Sequence, residues 1–302
     1  MPFETVAGQA GLASEKPRVD RRWFVLAAAA ASTVAASRAP CRACSAEDPA
    51  PALPRVDLHV HLDGSTIDKV VALGRDRQVR LGIVEHAGTK ENQYPVVLSS
   101  DAELREWLAR LEGKGVYRGI QAEWTDWTGC FSREMLGGLD YVLTDAMTFP
   151  GKDGRRVKLW EAGAAQRVDF SDAEAFMERY VAWHVEIIER QPIDIFANTS
   201  WLPAALAPQY DRLWTPARVR AVAQAAARRG VALEISAGYR LPTLSFLRIA
   251  RECGVKFAFG TNGRYPNMGR IDYCQEMASR LGLGPSDVFV PSSGGAKAAR
   301  QS

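Results

Sequence analysis

The chain has 302 residues, 47% hydrophobic and 9% aromatic, a composition that excludes a disordered, collagen-like or membrane-bundle protein. Residues 1–45 hold six of the 38 basic and three of the 35 acidic side chains, so the net charge of +3 belongs to this segment and the remainder is neutral. A neutral body without a run of Lys or Arg lacks the charge that binding to a phosphate backbone requires, so nucleic acid is excluded as the expected partner.

The first element in chain order resembles an export signal. Arg21-Arg22 precedes the apolar stretch Trp23–Ala36, and small residues follow, which is the order of the bacterial twin-arginine type. The stretch is shorter than the roughly 20 apolar residues of a membrane span, so no stable span is expected after cleavage. We expect a signal peptide at 1–36 and a linker at 37–53, export to the periplasm or beyond through the twin-arginine machinery, and cleavage after Ala36. A plain amphiphilic N-terminal helix is the alternative.

Short apolar runs alternate with amphipathic stretches through residues 54–290. The runs predict strands at Val56–His61, Arg80–His86, Tyr117–Trp124, Leu139–Thr144, Ile193–Ala197, Val231–Ile235 and Lys256–Gly260. Helices are predicted at Thr66–Arg77, Asp101–Glu112, Ser132–Gly137, Asp172–Arg190, Pro216–Arg229, Leu241–Cys253 and Gly269–Leu281. This is the pattern of an α/β protein, a single-domain parallel (β/α)7 barrel of the TIM-like kind. An open doubly wound sheet is the alternative, but no Gly-rich phosphate loop follows the first strand.

Two segments depart from this alternation. Residues Met147–Glu161 form a long irregular insert after the fourth strand, where a loop would lie over the barrel mouth like a lid. The tail, 291–302, is rich in Ser, Gly, Ala and Lys and is expected to be disordered.

Three of the four histidines stand at the ends of the first two strands, and a carboxylate stands at the end of the third. His59 and His61 point to one face because side chains alternate along a strand. Since parallel barrels assemble their sites at the carboxyl ends of strands, His59, His61, His86 and Glu123 are predicted to bind zinc, manganese or iron, as one or two ions. Solvated or core histidines are the alternative. His184, inside the fourth predicted helix, is interpreted as a packed histidine.

Other polar residues at the strand ends are candidates for contact with a small-molecule substrate. Asp63 either reaches the mouth or caps the following helix. Arg240 and Arg264 follow the sixth and seventh strands, where guanidinium groups could hold an anionic substrate group, although a surface position is equally compatible with the sequence.

The strand motifs together resemble the polymerase-and-histidinol-phosphatase (PHP) family over nearly all of residues 54–290. The matching segments are Val56–His61, Leu81–His86, Gly119–Glu123, Ile193–Asn198, Val231–Ile235 and Gly254–Arg264. The resemblance implies a distorted seven-stranded barrel in which up to three metal ions hydrolyse phosphate esters. His59, His61, His86 and Glu123 carry over as ligands, with Asp145 as a further ligand or general base.

The chain departs from the family pattern at several ligand positions. Asn198 stands where the family has His, and Thr261-Asn262-Gly263-Arg264 stands where it has Ser-Asp-x-His. Amides are poor ligands for transition metals and Arg is none, so a complete three-metal site is not expected. Asn198 and Asn262 are therefore assigned to substrate binding, and Arg264 could replace the charge of one ion.

The segment His59–Ser65 is also similar to the opening of adenosine-deaminase-type amidohydrolases, which use a metal barrel too, but this chain has Asn262 where that family has Asp. The sequence thus predicts an exported, PHP-type, metal-dependent hydrolase that attacks a small phosphoester or related ester with metal-bound hydroxide. A catalytically inactive ligand-binding barrel and an adenosine-deaminase-like amidohydrolase are the alternatives.

Overall fold

The alternating pattern folds as seven successive βα units. The computed structural model describes residues 52–292 and 294–300. Its strands are β1 Val56–Val60, β2 Arg80–Ile83, β3 His86–Ala87, β4 Tyr117–Ala122, β5 Tyr141–Thr144, β6 Thr148–Pro150, β7 Arg156–Lys158, β8 Ile195–Phe196, β9 Ala232–Ser236 and β10 Phe257–Gly260. Its helices are α1 Ile67–Asp76, α2 Asp101–Leu111, α3 Arg133–Leu136, α4 Ala164–Arg167, α5 Ala173–Arg190, α6 Tyr210–Leu213, α7 Pro216–Arg229, α8 Leu244–Glu252, α9 Asp272–Leu281 and α10 Lys297–Arg300.

The main sheet is parallel and runs in the order β1-β2-β4-β5-β8-β9-β10. Strand β3 continues from β2 after a short break and pairs with β4, with His86 opposite Gln121. The sheet closes on itself where the N–H of His61 donates to the carbonyl of Gly263 and the N–H of Gly263 donates to the carbonyl of His59, both at 3.0 Å. The predicted fold class, a distorted parallel (β/α)7 TIM-like barrel, is confirmed.

The barrel interior is filled by side chains. Every residue of β1 is buried, and Tyr141 on β5 crosses the interior so that its hydroxyl donates to the Leu58 carbonyl at 2.8 Å. Gly119 on β4 leaves the space that this ring occupies, because a Cβ there would lie 2.6 Å from Cζ of Tyr141. The barrel is a packed core that positions the strand ends.

The helix signals in the sequence act as expected. The Asp172 side chain accepts hydrogen bonds from the N–H groups of Glu174 and Ala175, both at 3.0 Å, and starts α5. Pro216 occupies the first position of α7, and Gly230 ends that helix in the left-handed conformation, with φ of 59°.

The prediction that the insert at 147–161 is irregular is wrong. It contains an antiparallel hairpin in which Thr148 of β6 pairs with Lys158 of β7. Met147 and Trp160, which flank the hairpin, line a cavity at the barrel mouth, so the insert does lie where a lid was expected.

The tail was predicted to be disordered, but its described part packs against the barrel. Ala296 is fully buried, and its N–H donates to the carbonyl of Leu139 at 3.1 Å. The N–H of Lys297 donates to the buried carboxylate of Asp194 at 3.2 Å, and helix α10 follows. Small alanines fit closely against the barrel, which a composition argument for disorder does not consider.

We expect deletion of residues 296–302 to lower the free energy of unfolding by about 1–3 kcal/mol, because Asp194 loses a buried hydrogen-bond donor. Urea titration followed by circular dichroism measures the change. Deletion of residues 301–302 alone is the control. Equal stability of the longer deletion and the full chain would show that the docked tail contributes nothing.

The predicted signal peptide, 1–36, and the linker through residue 51 lie outside the described residues. Within residues 52–292 and 294–300, no helix combines the length and apolarity needed to cross a membrane.

Candidate functional site

A cavity of about 280 Å³ opens at the carboxyl ends of the barrel strands. The residues that line it are His61, His86, Tyr94, Gln121, Asp145, Met147, Trp160, Asn198, Tyr239, Asn262 and Arg264. They end or follow the strands at all seven positions of the barrel, so the topology brings together side chains that are far apart in sequence.

Three histidines lie in a row beside the cavity. The ring centroids of His59 and His61 are 5.2 Å apart, and those of His61 and His86 are 4.8 Å apart. All three are buried. The ring of Tyr94 stacks on that of His86 with centroids 3.7 Å apart, which closes the row on one side. The juxtaposition predicted from strand alternation is therefore present.

Both ring nitrogens of His59 have partners. Its Nδ1 donates to Oε1 of Glu234 at 2.8 Å, and its Nε2 lies 3.1 Å from Oε1 of Gln121. Burial by itself lowers the pKa of His59, but the charge of the Glu234 carboxylate and the hydrogen bond to it outweigh burial, so the pKa is raised above its ordinary value. This geometry favours an imidazolium held between two oxygen acceptors.

His61 has the opposite environment. Its Nδ1 is buried and has no hydrogen-bond partner among the residues that the structure describes. Burial, followed by the positive charges of His59, His86 and Arg264, holds the pKa of His61 well below its ordinary value. His61 is therefore neutral near pH 7 and keeps a lone pair.

His86 is oriented by a carboxylate. Its Nδ1 donates to Oε1 of Glu123 at 2.7 Å, and the hydroxyl of Tyr94 donates to the other oxygen of Glu123 at 3.2 Å. Glu123 does not line the cavity. It holds His86 in place from behind, whereas Gln121, two residues earlier on β4, contacts His59 and faces the cavity.

Asp145 is a half-buried carboxylate in the cavity wall. One oxygen accepts from Nδ2 of Asn198 at 2.8 Å and the other accepts from the N–H of Met147 at 2.9 Å. Burial, followed by the negative charge of Glu123, raises the pKa of Asp145 to about 6, and the two hydrogen bonds oppose that rise. A carboxylate with this pKa can exchange a proton near neutral pH.

Asn198 and Asn262 were interpreted as substituted ligand positions, and the structure adds a reason for an asparagine at each. Both have left-handed backbones, with φ of 50° and 46°, which Asn adopts more readily than most residues. The backbone N–H of Asn198 also donates to Oε2 of Glu234 at 2.7 Å, so this residue connects Glu234 with Asp145.

Arg264 and Asp63, two predicted substrate contacts, bind each other. Nε of Arg264 donates to Oδ2 of Asp63 at 2.7 Å, and Nη1 donates to Oδ1 of Asn262 at 3.0 Å. Arg264 lines the cavity and Asp63 does not, so Asp63 orients the guanidinium group from outside.

Arg240 does not reach the cavity, contrary to its predicted role in substrate binding. Its guanidinium lies over the ring of Tyr273, 4.7 Å from the centroid, and 3.6 Å from a carboxylate oxygen of Glu276. The ring and the carboxylate hold the Arg240 cation on the outer surface of the barrel. The position of Arg240 after a strand did not predict these partners. His184 is a packed core histidine, as predicted, and burial lowers its pKa to about 4.

A larger cleft of about 730 Å³ lies along the hairpin and contains none of the predicted site residues. Its Arg156 is already engaged by Asp126 at 2.5 Å and by Asn92 at 2.7 Å. The cleft wall has no histidine, so the smaller cavity is the better candidate for chemistry.

The four predicted metal ligands do not form a common ligand set. Within the described ranges, no group of three or more His, Cys, Asp or Glu side chains is arranged to hold a metal ion. His59 has both nitrogens engaged and Glu123 lies behind His86, which leaves the imidazoles of His61 and His86 where zinc takes three or four protein ligands. The residues present do not fit the multi-metal centre that the family resemblance implies.

Sequence reasoning missed Gln121, Glu234 and Tyr94 as site residues. Gln121 precedes Glu123 by two positions, so strand alternation places both on one face and gives a signal that could have found it. Glu234 is buried within β9, where a lone carboxylate in an apolar strand is itself a signal. Tyr94 lies in the loop after β3, and nothing in its local sequence marks it.

The fold and the cavity define the class, a TIM-like (β/α) barrel with its candidate site at the carboxyl ends of the strands. No protein-family model matches the sequence, and no curated protein matches it. Among solved structures, the histidinol phosphate phosphatase of Lactococcus lactis subsp. lactis Il1403, solved with zinc, L-histidinol and phosphate, is similar with a TM-score of 0.57 at 12% identity, covering 81% of this chain and 99% of that one. At this identity the likeness shows the fold.

A chain of archaeal ribonuclease P, solved with mature tRNA, also matches, with a TM-score of 0.39 at 14% identity over 77% of this chain and 84% of that one. That score is too low to support an argument about the fold.

Proposed function

We propose that the protein is an exported hydrolase that cleaves a small phosphate ester, or a related anionic ester, in the cavity at the barrel mouth. The observation that carries the proposal is Asp145, a carboxylate with a pKa raised to about 6 in a cavity that Arg264 also lines. The structure of the similar phosphatase holds histidinol and phosphate, so phosphate monoesters, histidinol phosphate included, are the first substrates to test.

The chain's own residues supply the groups that hydrolysis needs. Arg264 and the amide of Asn262 hold the anionic end of the substrate. Above pH 6 the Asp145 carboxylate accepts a proton from a water molecule whose oxygen bonds to phosphorus. The ester P–O bond breaks, its electron pair goes to the leaving oxygen, and Asp145 returns the proton to that oxygen.

Export is proposed from the sequence alone, because Arg21-Arg22 and the apolar stretch after them have the order of a twin-arginine signal. Retention of the full chain in the cytoplasm of a bacterium with a working twin-arginine system would overturn this part of the proposal.

The first test is phosphate release by the purified chain from a panel of phosphate monoesters, with Arg264→Ala beside the wild type. We expect Arg264→Ala to raise KM about 10–100-fold, because the fixed charge opposite the substrate's anionic group is lost. Arg155→Ala is the matched control, since that side chain is 83% exposed. Equal KM for Arg264→Ala and wild type would remove Arg264 from substrate binding.

A second candidate is a barrel that binds an anionic ligand without turnover. The amides of Gln121, Asn198 and Asn262 favour it, because neutral amides bind ligands through hydrogen bonds and do not transfer protons. Absence of turnover across phosphate esters, carboxylic esters and amides, together with saturable binding of an ester, would favour this candidate. Release of ammonia from amides would instead favour the amidohydrolase alternative.

A further inference from the structure

We propose that the cavity holds no resident metal ion, because Gln121 is a neutral amide and the nearby carboxylates are paired within the protein, so that the ligands an ion would need are missing. The inference concerns the same cavity as the proposed function. Only the activity test below rests on that function, because the metal-binding test needs no substrate.

The first step concerns Gln121, which stands among the histidines. Its Oε1 lies 3.1 Å from Nε2 of His59, and its side chain lines the cavity together with His61 and His86. A carboxylate in this position would supply a negative ligand beside the imidazoles of His61 and His86, and three protein ligands are enough for a zinc site. The amide is neutral and a poor ligand for transition metals.

The second step concerns the carboxylates around the cavity, each of which is committed to a partner within the protein. Glu234 accepts from His59 and from the N–H of Asn198, and Glu123 accepts from His86 and Tyr94. The remaining two are engaged in the same way, Asp145 by Asn198 and Met147 and Asp63 by Arg264. A divalent ion would have to break these hydrogen bonds to recruit negative charge.

The third step concerns positive charge, which the site supplies with side chains. Arg264 is held at the cavity wall by Asp63 and Asn262. A guanidinium fixed by two partners can stabilise an anionic substrate group without a metal, since fixed cations and oriented hydrogen-bond donors serve this purpose in enzymes.

The test measures metal content and zinc affinity in the wild type and in Gln121→Glu. The full chain is treated with a chelator, incubated with zinc, manganese or iron(II), desalted and measured by mass spectrometry and titration calorimetry. We expect substoichiometric metal in the wild type and about one zinc ion per chain in Gln121→Glu, with a zinc-dependent rise in Tm for that variant. Gln209→Glu adds the same charge on the surface and is the matched control.

A second variant covers the case in which a buried carboxylate prevents Gln121→Glu from folding. The double variant Asn262→Asp/Arg264→Ala introduces a carboxylate at a half-buried position on the other side of the cavity, removes the guanidinium that would pair with it, and should also gain zinc. Stoichiometric zinc in the wild type that is lost in His61→Ala would overturn the inference. Failure of both folded variants to gain zinc would overturn it as well.

Activity after chelation separates this inference from the proposed function. Ester turnover that survives the chelator supports both. If the chelator abolishes turnover and zinc restores it, the metal-free inference is overturned and the proposed hydrolase function is supported. If the chain neither binds metal nor turns over any ester, the metal-free inference is supported and the proposed hydrolase function is overturned.

Discussion

Asp145→Asn is expected to lower kcat/KM for ester hydrolysis by about 10²–10⁴-fold, the usual contribution of a general base. The amide has nearly the size of the carboxyl group, so the cavity keeps its shape, but it cannot accept a proton. Phosphate release under kcat/KM conditions measures the effect. Asp153→Asn, a change at an exposed carboxylate of the hairpin, is the matched control. An active Asp145→Asn variant would show that another group accepts the proton.

The same residue predicts the pH dependence. The pKa of Asp145 is raised to about 6 from its ordinary value of 3.8, so kcat/KM should rise with pH and level off above pH 6. The hydrogen bond from Asn198 lowers this pKa, so Asn198→Ala should move the rising limb to higher pH. A folded-state pKa above the unfolded value also means that this group stabilises the fold below about pH 4, and the contribution is lost as pH rises through 6.

Asp57→Ala is expected to lower the free energy of unfolding by about 3 kcal/mol or more. The fully buried carboxylate accepts from the N–H and hydroxyl of Thr261, at 3.0 and 2.6 Å, and from the N–H of Gly269 at 2.7 Å. The N–H of His59 is a fourth donor at 3.2 Å. Removing the acceptor leaves these buried donors unpaired, each at a cost of about 1–3 kcal/mol.

Asp68→Ala provides the comparison, because that side chain is 80% exposed and its ion pair with Lys114 is a surface one. Its effect should stay within about 1 kcal/mol. Urea unfolding of the two variants gives both values. Equal midpoints would mean that the donors around Asp57 find other partners. Because Asp57 ties β1 to the segment that carries Asn262 and Arg264, its loss should weaken substrate binding as well.

The barrel could be predicted from the sequence because its signals are local. An apolar run such as Phe257–Gly260 makes a buried strand wherever it lies in the chain, and Asp172 caps the helix that begins beside it. The docking of Ala296 depends on its contact with Leu139, far away in the chain, which no window of sequence contains. The pairing of Thr148 with Lys158 is local, but Pro150, Gly151 and Gly154 between them are typical of an irregular loop.

The site likewise has features that local sequence predicts and features that it does not. Strand alternation correctly placed His59 and His61 side by side, but the partner that engages His59 is Glu234, 175 residues further along the chain. Gln121 on β4 lines the cavity, whereas Glu123, just beyond the end of β4, does not and is engaged by His86 and Tyr94. Strand alternation predicts that the two side chains share a face, but it does not predict which of them a partner engages.

The two hydrogen bonds between Gly263 and the His59–His61 segment are the seam at which the first and last strands of the barrel meet. His61 on one side of that seam and Arg264 on the other line the same cavity. A ligand that contacts both side chains would bridge the first and last units of the barrel. Binding of such a ligand should therefore stabilise the closed barrel against unfolding.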